Sequence, residues 1–241
     1  LRTRRAPSRL VLIGSVVALI TVLVGFLSGL TGGLATQNIS AVLAISADRI
    51  AFSAPAGGEA GASFSDSALT QEQASAWAVT DGVTAVEPLG ISQTRGESGD
   101  TRAAIALFGV QPGVDATSPT GDGRLGLSEP AAAALQVEAG DEVAIAGVQY
   151  TVETVEGDGW YSHTPVVKMT LSDWQAYAAT TGSPDAYATV LAISGTPDWE
   201  AGDAANDTLS EGTLGSLMAL SAFRSEIGSL LLMVALLFGI S

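Results

Sequence analysis

Few side chains in this sequence belong to the types that usually carry catalysis. The 241 residues include no cysteine and one histidine, His163. This composition excludes disulfides, thiolate catalysis and any zinc site built from cysteine and histidine. The sequence also lacks a G-x-S-x-G elbow and a phosphate-binding G-x-x-x-x-G-K-S/T loop. We therefore expect that the chain is not an enzyme and has no nucleotide site, and that His163 is a surface-loop residue with local hydrogen bonds.

Carboxylates are abundant, but their spacing does not indicate a ligand site. The 25 acidic residues outnumber the 10 basic ones, so the net charge is −15, and 24 of the acids lie in 48–211. We expect the close pairs Asp141/Glu142 and Glu153/Glu156 to be solvated, and no EF-hand spacing indicates a calcium site. The acidic balance argues against a nucleic-acid partner, because nucleic-acid binding needs a basic surface.

The C-terminal part of the sequence holds one ionisable candidate for a functional residue, Glu226. The segment 212–241 also carries Met218, Phe223, Arg224 and Met233. Glu226 stands immediately before the uncharged run 227–241, and an ionisable group at a membrane edge is a functional candidate. On a helix, Glu226 and Met233 share a face because they are seven residues apart. The alternative for Glu226 is a structural ion pair or a side chain that extends to the interface.

Two uncharged apolar segments would position these groups. Residues 1–9 hold four arginines and no acid, and no charged residue occurs from 10 to 47. The run 10–30 supplies the roughly 20 residues that a membrane-spanning helix needs, and it is too long for the core of a signal peptide. We therefore predict an uncleaved transmembrane helix that begins at residue 10 and continues as an extracellular stalk to residue 47. A cleaved secretory signal peptide is the alternative.

The second apolar segment is shorter than a bilayer. The run 227–241 would form a helix of about 22 Å, against a hydrocarbon core of about 30 Å. We expect 212–241 to be a stalk and the start of a second transmembrane helix, with more protein after it. The arginines place 1–9 in the cytoplasm and 48–211 outside the cell. The prediction is a multi-pass cell-membrane protein whose transmembrane helices flank an extracellular domain.

The middle segment, 48–211, is predicted to fold as a mixed α+β domain without an internal repeat. Its hydrophobic patterns predict strands at 83–88, 103–110, 142–146, 149–155 and 187–193. Helices are predicted at 67–80 and 172–180, and a short alanine-rich helix follows Ser128. A Gly/Ala/Ser-rich loop at 53–67 and a polar turn region at 95–102 would connect these elements.

The first apolar segment carries a stripe of small residues. Gly25, Gly29 and Gly33 are spaced by four, which forms two overlapping G-x-x-x-G patterns. Small residues at this spacing allow two helix backbones to approach closely. The stripe therefore predicts either a packing groove within one chain or a helix interface in a dimer.

The sequence also resembles a known protein family. The pieces that carry the resemblance lie at 9–15, 140–143, 160–167 and 221–241. With its basic cap, membrane helix, large outside domain and return helix, the chain resembles the MacB-like (type VII) ABC transporter permeases. Within them it is most similar to the heme-exporter permeases of the HrtB type. The resemblance implies a homodimeric permease in the lipid bilayer, with two copies of a separate cytoplasmic ATPase subunit that bind ATP and magnesium.

The resemblance also implies that heme is exported after lateral entry from the membrane, so that heme would be the substrate and not a cofactor. Glu226 and Met233, with Met218, Phe223 and Arg224, are then the candidates for heme contact. Glu226 and Met233 would lie about 10.5 Å apart along a helix, whereas axial ligands lie about 4 to 5 Å apart. Facing helices of a dimer would have to supply the two ligands, and no other metal is expected.

Two other functions remain open from the sequence. A MacB-like permease could instead transmit motion to export a peptide, a drug or a lipoprotein, or to regulate a cell-wall hydrolase. A membrane-anchored extracellular binding or sensor domain without transport is an alternative of another class.

Overall fold

The structure is a computed structural model, and it describes residues 14, 15, 18, 22, 40–54 and 61–212. The chain divides into two compact units, Leu1–Thr36 and Gln37–Ser241. In the first unit, the described residues are helical and exposed. None of the helices among the described residues combines the length and the apolar character needed to cross a bilayer.

Several predictions from the sequence lie outside the described residues. They concern most of the helix at 10–30, the second apolar run 227–241, and the glycine stripe of Gly25, Gly29 and Gly33. The five candidate ligand-contact residues, Met218, Phe223, Arg224, Glu226 and Met233, also lie outside this range. These expectations stay predictions.

The described part of the second unit is a mixed α+β domain, as predicted for 48–211. Its strands are β1 (Arg49–Ser53), β2 (Val83–Ser98), β3 (Thr101–Val110), β4 (Arg124–Leu127), β5 (Glu142–Ile145), β6 (Val148–Val155), β7 (Trp160–Tyr161), β8 (Thr164–Thr170), β9 (Val190–Gly195) and β10 (Thr208–Glu211). Its helices are α1 (Gln71–Ala78), α2 (Glu129–Leu135), α3 (Leu171–Thr180) and α4 (Trp199–Asn206). A helical turn at 40–43 precedes β1.

Strand β2 joins two sheets because its two halves pair with different strands. Residues 83–89 pair with β9, and β9 is followed by β1 and β10, all antiparallel. Residues 90–98 pair with β3, and the order continues through β8, β4, β6 and β5. Strand β5 then pairs with β2 at Gly96 and Glu97, so these six strands form a closed sheet. Within it, β3/β8 and β4/β6 are parallel pairs.

Each helix begins where the sequence offers a side chain that caps its free backbone N–H groups. Thr70 forms a capping box with Gln73 at the start of α1. Ser128, Thr170 and Asp198 cap α2, α3 and α4 in the same position. Such caps contribute about 1 kcal/mol each to stability. They explain why these short helices start at defined residues.

Two glycines fix how α3 lies on the closed sheet. Gly90 of β2 and Gly109 of β3 are opposite each other in the register. A Cβ atom at either position would collide with the side chain of Trp174 from α3. The indole therefore lies directly on the backbone, and its Nε1 donates a hydrogen bond of 3.0 Å to Ser92 Oγ.

The second sheet is covered in a similar way by α1 and α4. Trp77 of α1 is fully buried, and its Nε1 donates a hydrogen bond of 3.1 Å to Thr208 Oγ1 of β10. Gly202 of α4 leaves room for the Trp77 ring, which a Cβ atom would overlap. Together, the two tryptophans define the positions of three of the four described helices.

The predicted strands are confirmed, with differences at their ends. The region 95–102 was expected to be a turn, but it is the end of a long β2/β3 hairpin whose turn is confined to Gly99 and Asp100. This prediction was wrong because the segment contains only polar residues and glycine, which locally resembles a turn. Its strands are fixed by pairing with each other and, at Gly96 and Glu97, with β5. Strands β1, β4, β7, β8 and β10 and helix α4 were not predicted.

Candidate functional site

The chain enters and leaves the domain at one edge of the sheet. Strands β1 and β10 pair antiparallel, and Ile50 lies opposite Glu211. Cα atoms of such opposite residues are about 4.5 to 5.5 Å apart. The segments before residue 49 and after residue 211 therefore start next to each other.

Strand β10 is further fixed by a carboxylate of α4. Asp203 Oδ2 accepts hydrogen bonds from Ser210 N at 2.9 Å and from Ser210 Oγ at 2.7 Å. Asp203 Oδ1 accepts a hydrogen bond of 2.7 Å from Thr208 Oγ1. The last strand is thus held by the sheet on one side and by α4.

The segment before β1 is attached to the domain at a second place, through the helical turn 40–43. Ser40 Oγ accepts a hydrogen bond of 2.8 Å from Trp160 N and donates one of 3.2 Å to the carbonyl oxygen of Asp158. Val42 is buried in the core, while Ala41 and Ile45 pack against it. We call this contact between residues 40–47 and 157–160 the joint.

Aromatic rings form the part of the core on which the joint packs. Tyr161, next to Trp160, makes edge-to-face contacts with Phe64 and Phe108 at centroid distances of 5.9 and 5.6 Å. Phe52 of β1 makes a similar contact with Phe64 at 4.9 Å. Burial raises the pKa of the Tyr161 hydroxyl well above its usual value. The phenol is therefore neutral at physiological pH, and the joint packs on a buried apolar cluster.

A cavity of about 450 Å³ lies beside the joint. The segment 40–46 forms one wall, and residues 156–159 form another. Strands β2, β3, β4 and β8 also contribute, as does the loop 111–123 that connects β3 to β4.

That loop is held in place by Lys168, the single lysine of the sequence. Lys168 Nζ lies 2.6 Å from Asp115 Oδ2 and also donates a hydrogen bond to Thr117 Oγ1. Asp115 Oδ1 accepts further hydrogen bonds from the Thr117 amide and the Ser118 hydroxyl. Partial burial would raise the pKa of Asp115, but the bonds from Lys168, Thr117 and Ser118 outweigh it and lower the pKa to about 2.

Glu153 anchors the far end of the same loop. It accepts hydrogen bonds from the Thr120 amide at 2.8 Å and the Thr120 hydroxyl at 2.7 Å, and it pairs with Arg124 at 3.2 Å. The amide and the hydroxyl of Thr120, followed by the charge of Arg124, lower the pKa of Glu153. The expectation that the Glu153/Glu156 pair is simply solvated was therefore wrong for Glu153. Its strand position beside a loop gives it partners that the sequence does not show.

A second carboxylate, Asp122, connects this end of the loop to α3. Its Oδ1 accepts hydrogen bonds from the hydroxyls of Ser172 and Thr170, and these bonds lower the pKa of Asp122. The carboxylate of Asp173 accepts a hydrogen bond of 2.7 Å from the Gly123 amide. The loop 111–123 is thus fixed at both ends.

His163 lies at the exposed tip of the hairpin between β7 and β8, which confirms its predicted surface-loop position. It forms a two-residue turn with Ser162, and their φ angles are 62° and 49°. Among the described residues, no group of three or more His, Cys, Asp or Glu side chains is arranged to hold a metal ion. The sequence reasoning missed Ser40, Asp115 and Lys168. The one sequence feature that could have indicated these residues is that Lys168 is a single lysine within an acidic segment.

Comparison with solved structures shows the fold. The chain is similar to the periplasmic region of MacB from Actinobacillus actinomycetemcomitans, with a TM-score of 0.51 and 13% sequence identity over 73% of this chain and 92% of that chain. It is also similar to the extracellular domain of the noncanonical ABC-type transporter YknZ from Gram-positive bacteria, with a TM-score of 0.45 and 14% identity over 65% of this chain and 87% of that one. Neither a protein-family model nor a curated protein sequence matches the chain.

Proposed function

We propose that this chain is a permease subunit of a MacB-like ABC transporter and that 48–211 is its extracellular domain. The observation that carries the proposal is the pairing of β1 with β10, which brings both ends of the domain to one edge. A domain inserted between two neighbouring membrane helices needs this arrangement. The uncharged runs at 10–47 and 227–241 supply the helices, and the fold shared with the periplasmic region of MacB supports the assignment.

The joint indicates how the domain would respond to movement of the first membrane helix. The attachment of 40–47 consists of one buried valine, worth about 1.5 to 3 kcal/mol, the partly buried Ala41, Ile45 and Ala47, and two hydrogen bonds of about 1 kcal/mol each. A few kcal/mol can hold the helical turn in place at rest and still be overcome. In this proposal the permease is a homodimer in the cell membrane. ATP and magnesium bind to two copies of a separate cytoplasmic ATPase, whose closure moves the helices.

Heme is the proposed cargo. The resemblance to heme-exporter permeases at 160–167 and 221–241 supports this choice, as does the position of Glu226 before the apolar run. Heme would enter laterally from the membrane and contact Glu226 and Met233, with Met218, Phe223 and Arg224 nearby. The stripe of Gly25, Gly29 and Gly33 would allow the close helix packing that such a site needs.

The test uses the full-length protein, co-expressed with an ABC ATPase of the same organism and reconstituted in lipid. We expect the two proteins to purify together, and we expect ATP hydrolysis to depend on the permease. Ser40→Ala should reduce transport per ATP hydrolysed, because it removes both hydrogen bonds of the joint. Ser75→Ala is the matched control, since that hydroxyl lies on α1 and bonds only within its own helix.

The cargo is tested separately by titration with heme. We expect heme to give a saturable absorbance change and to stimulate ATP hydrolysis, and Glu226→Ala to weaken both. If heme has no effect while ATPase coupling persists, the permease stands and the cargo is wrong. If no ATPase associates and hydrolysis is independent of the chain, a membrane-anchored binding or sensor domain replaces the permease.

A further inference from the structure

The cavity beside the joint has an apolar floor. Leu89, Phe108, Val110 and Val166 line it, and each is at most 9% exposed. Its volume of about 450 Å³ lies in the range of small-molecule sites, about 300 to 1,000 Å³. The more exposed Ile45 and Val114 also line the cavity, so an occupant with an apolar body would find both space and apolar contact area.

The charges around the cavity select the sign of an occupant. Four carboxylates and one lysine line it, which gives a net charge of −3. The lysine is already paired with Asp115, and Asp158 accepts a hydrogen bond of 2.8 Å from Trp160 Nε1. Glu87 and Glu156 are exposed, and among the described residues no side chain forms a hydrogen bond or an ion pair with either carboxylate. These two carboxylates are available to a ligand.

We propose that this cavity binds a small organic cation with an apolar body, the charge next to Glu87 and Glu156 and the body on the apolar floor. An anion would meet a net charge of −3 from the described lining residues, because their one lysine is paired with Asp115. A bare metal ion would need several converging oxygen ligands, and the described residues offer no such group. The combination of an apolar floor with free carboxylates fits an amphiphilic cation.

The site also shares a wall with the joint. Ala41, Ala44 and Ile45 of the segment before β1 line the cavity, and so do residues 156–159. A bound cation would contact both sides and add apolar contacts to the attachment of the helical turn. Binding should therefore stabilise the docked turn as well as occupy the cavity.

Tetraphenylphosphonium is a suitable probe, and tetraphenylborate, of nearly the same size and shape but of opposite charge, is its matched control. Binding to the full chain in phosphatidylcholine nanodiscs is measured by isothermal titration calorimetry, with protein-free nanodiscs subtracted. Glu87→Gln/Glu156→Gln removes the available charges. Glu138→Gln/Glu142→Gln is the control pair, because both residues are exposed and outside the cavity.

We expect saturable binding of the cation to the unchanged chain and to the control pair. The Glu87→Gln/Glu156→Gln variant should bind about tenfold more weakly, since a carboxylate about 6 Å from a unit charge in water changes affinity about threefold. Ala44→Phe, which fills the cavity without changing its charge, should abolish binding. The proposal is overturned if the cation does not bind saturably, if tetraphenylborate binds as tightly, or if the Glu87→Gln/Glu156→Gln variant binds like the unchanged chain. None of these outcomes depends on an ATPase. Failure of the cation proposal therefore does not affect the proposed permease function.

Discussion

Replacing Asp115 by asparagine tests how firmly the loop 111–123 is held on β8. The substitution removes the charge that pairs with Lys168 but keeps a side-chain oxygen for the Thr117 amide. We expect the domain to lose stability at neutral pH. We also expect the loss to disappear in acid, because the Asp115 carboxylate of the unchanged chain then becomes protonated.

The magnitude follows from the pKa of Asp115. The pKa falls from 3.8 to about 2 on folding, and this difference corresponds to an upper limit of about 2.4 kcal/mol. The side chain of Asp115 is 50% exposed, so solvent screening reduces the expected loss to about 1 kcal/mol. Because the folded pKa is the lower one, this stabilisation is present above pH 4 and is lost as the pH falls through 2.

The assay is urea unfolding of the full chain in detergent, followed by tryptophan fluorescence between pH 7 and pH 2. All four tryptophans lie in 48–211, so the signal reports this domain. Lys168→Met and the double variant complete a double-mutant cycle, with an expected coupling energy of about 0.5 to 1 kcal/mol. A coupling energy of zero, together with the same acid profile in Asp115→Asn and the unchanged chain, would refute the role assigned to this pair.

Two further substitutions test the packing and the joint. Gly109→Ala should lower the free energy of unfolding by about 1 to 3 kcal/mol, because the added Cβ collides with Trp174. Gly61→Ala is the control and should be neutral, because a Cβ at Gly61 meets open space. Fluorescence-monitored unfolding of the two variants measures the difference. Ser40→Ala removes the acceptor of the Trp160 amide, so hydrogen-exchange mass spectrometry should show about fivefold faster exchange at that amide, and an unchanged rate would mean that the joint does not protect it.

The sequence predicts those elements of the domain that are long enough to show their own hydrophobic pattern or that carry a recognisable cap. β3 reads Ala-Ala-Ile-Ala-Leu-Phe-Gly-Val at 103–110, and its last six residues are buried, so a strand was evident. The helix after Ser128 was evident from its cap and from Pro130. Short strands such as β1 and β10 carry too few residues for a period. They are strands because β1 pairs with both β9 and β10.

The candidate site was harder to predict because its residues are brought together over long sequence distances. Ser40 and Trp160 are 120 residues apart, and Asp115 and Lys168 are 53 apart. No local spacing can indicate such contacts. Ser40 also lies within the uncharged run 10–47, where the sequence predicts a stalk and gives no sign of a polar contact with the domain.

The two attachments of the segment before β1 differ in strength, and this difference decides which of them can move. From Asp48 onward the chain is bonded to β9, through Asp48 N to the Ile193 carbonyl at 3.0 Å and through Asp48 Oδ2 to the Gly195 amide at 2.8 Å. Before it, residues 40–47 are held by the bonds of Ser40, by one buried valine and by the partly buried Ala41, Ile45 and Ala47. A pull on the chain before residue 40 would therefore release the helical turn before it disturbs β1. A cation in the cavity would oppose that release, because it adds contacts to the weaker attachment.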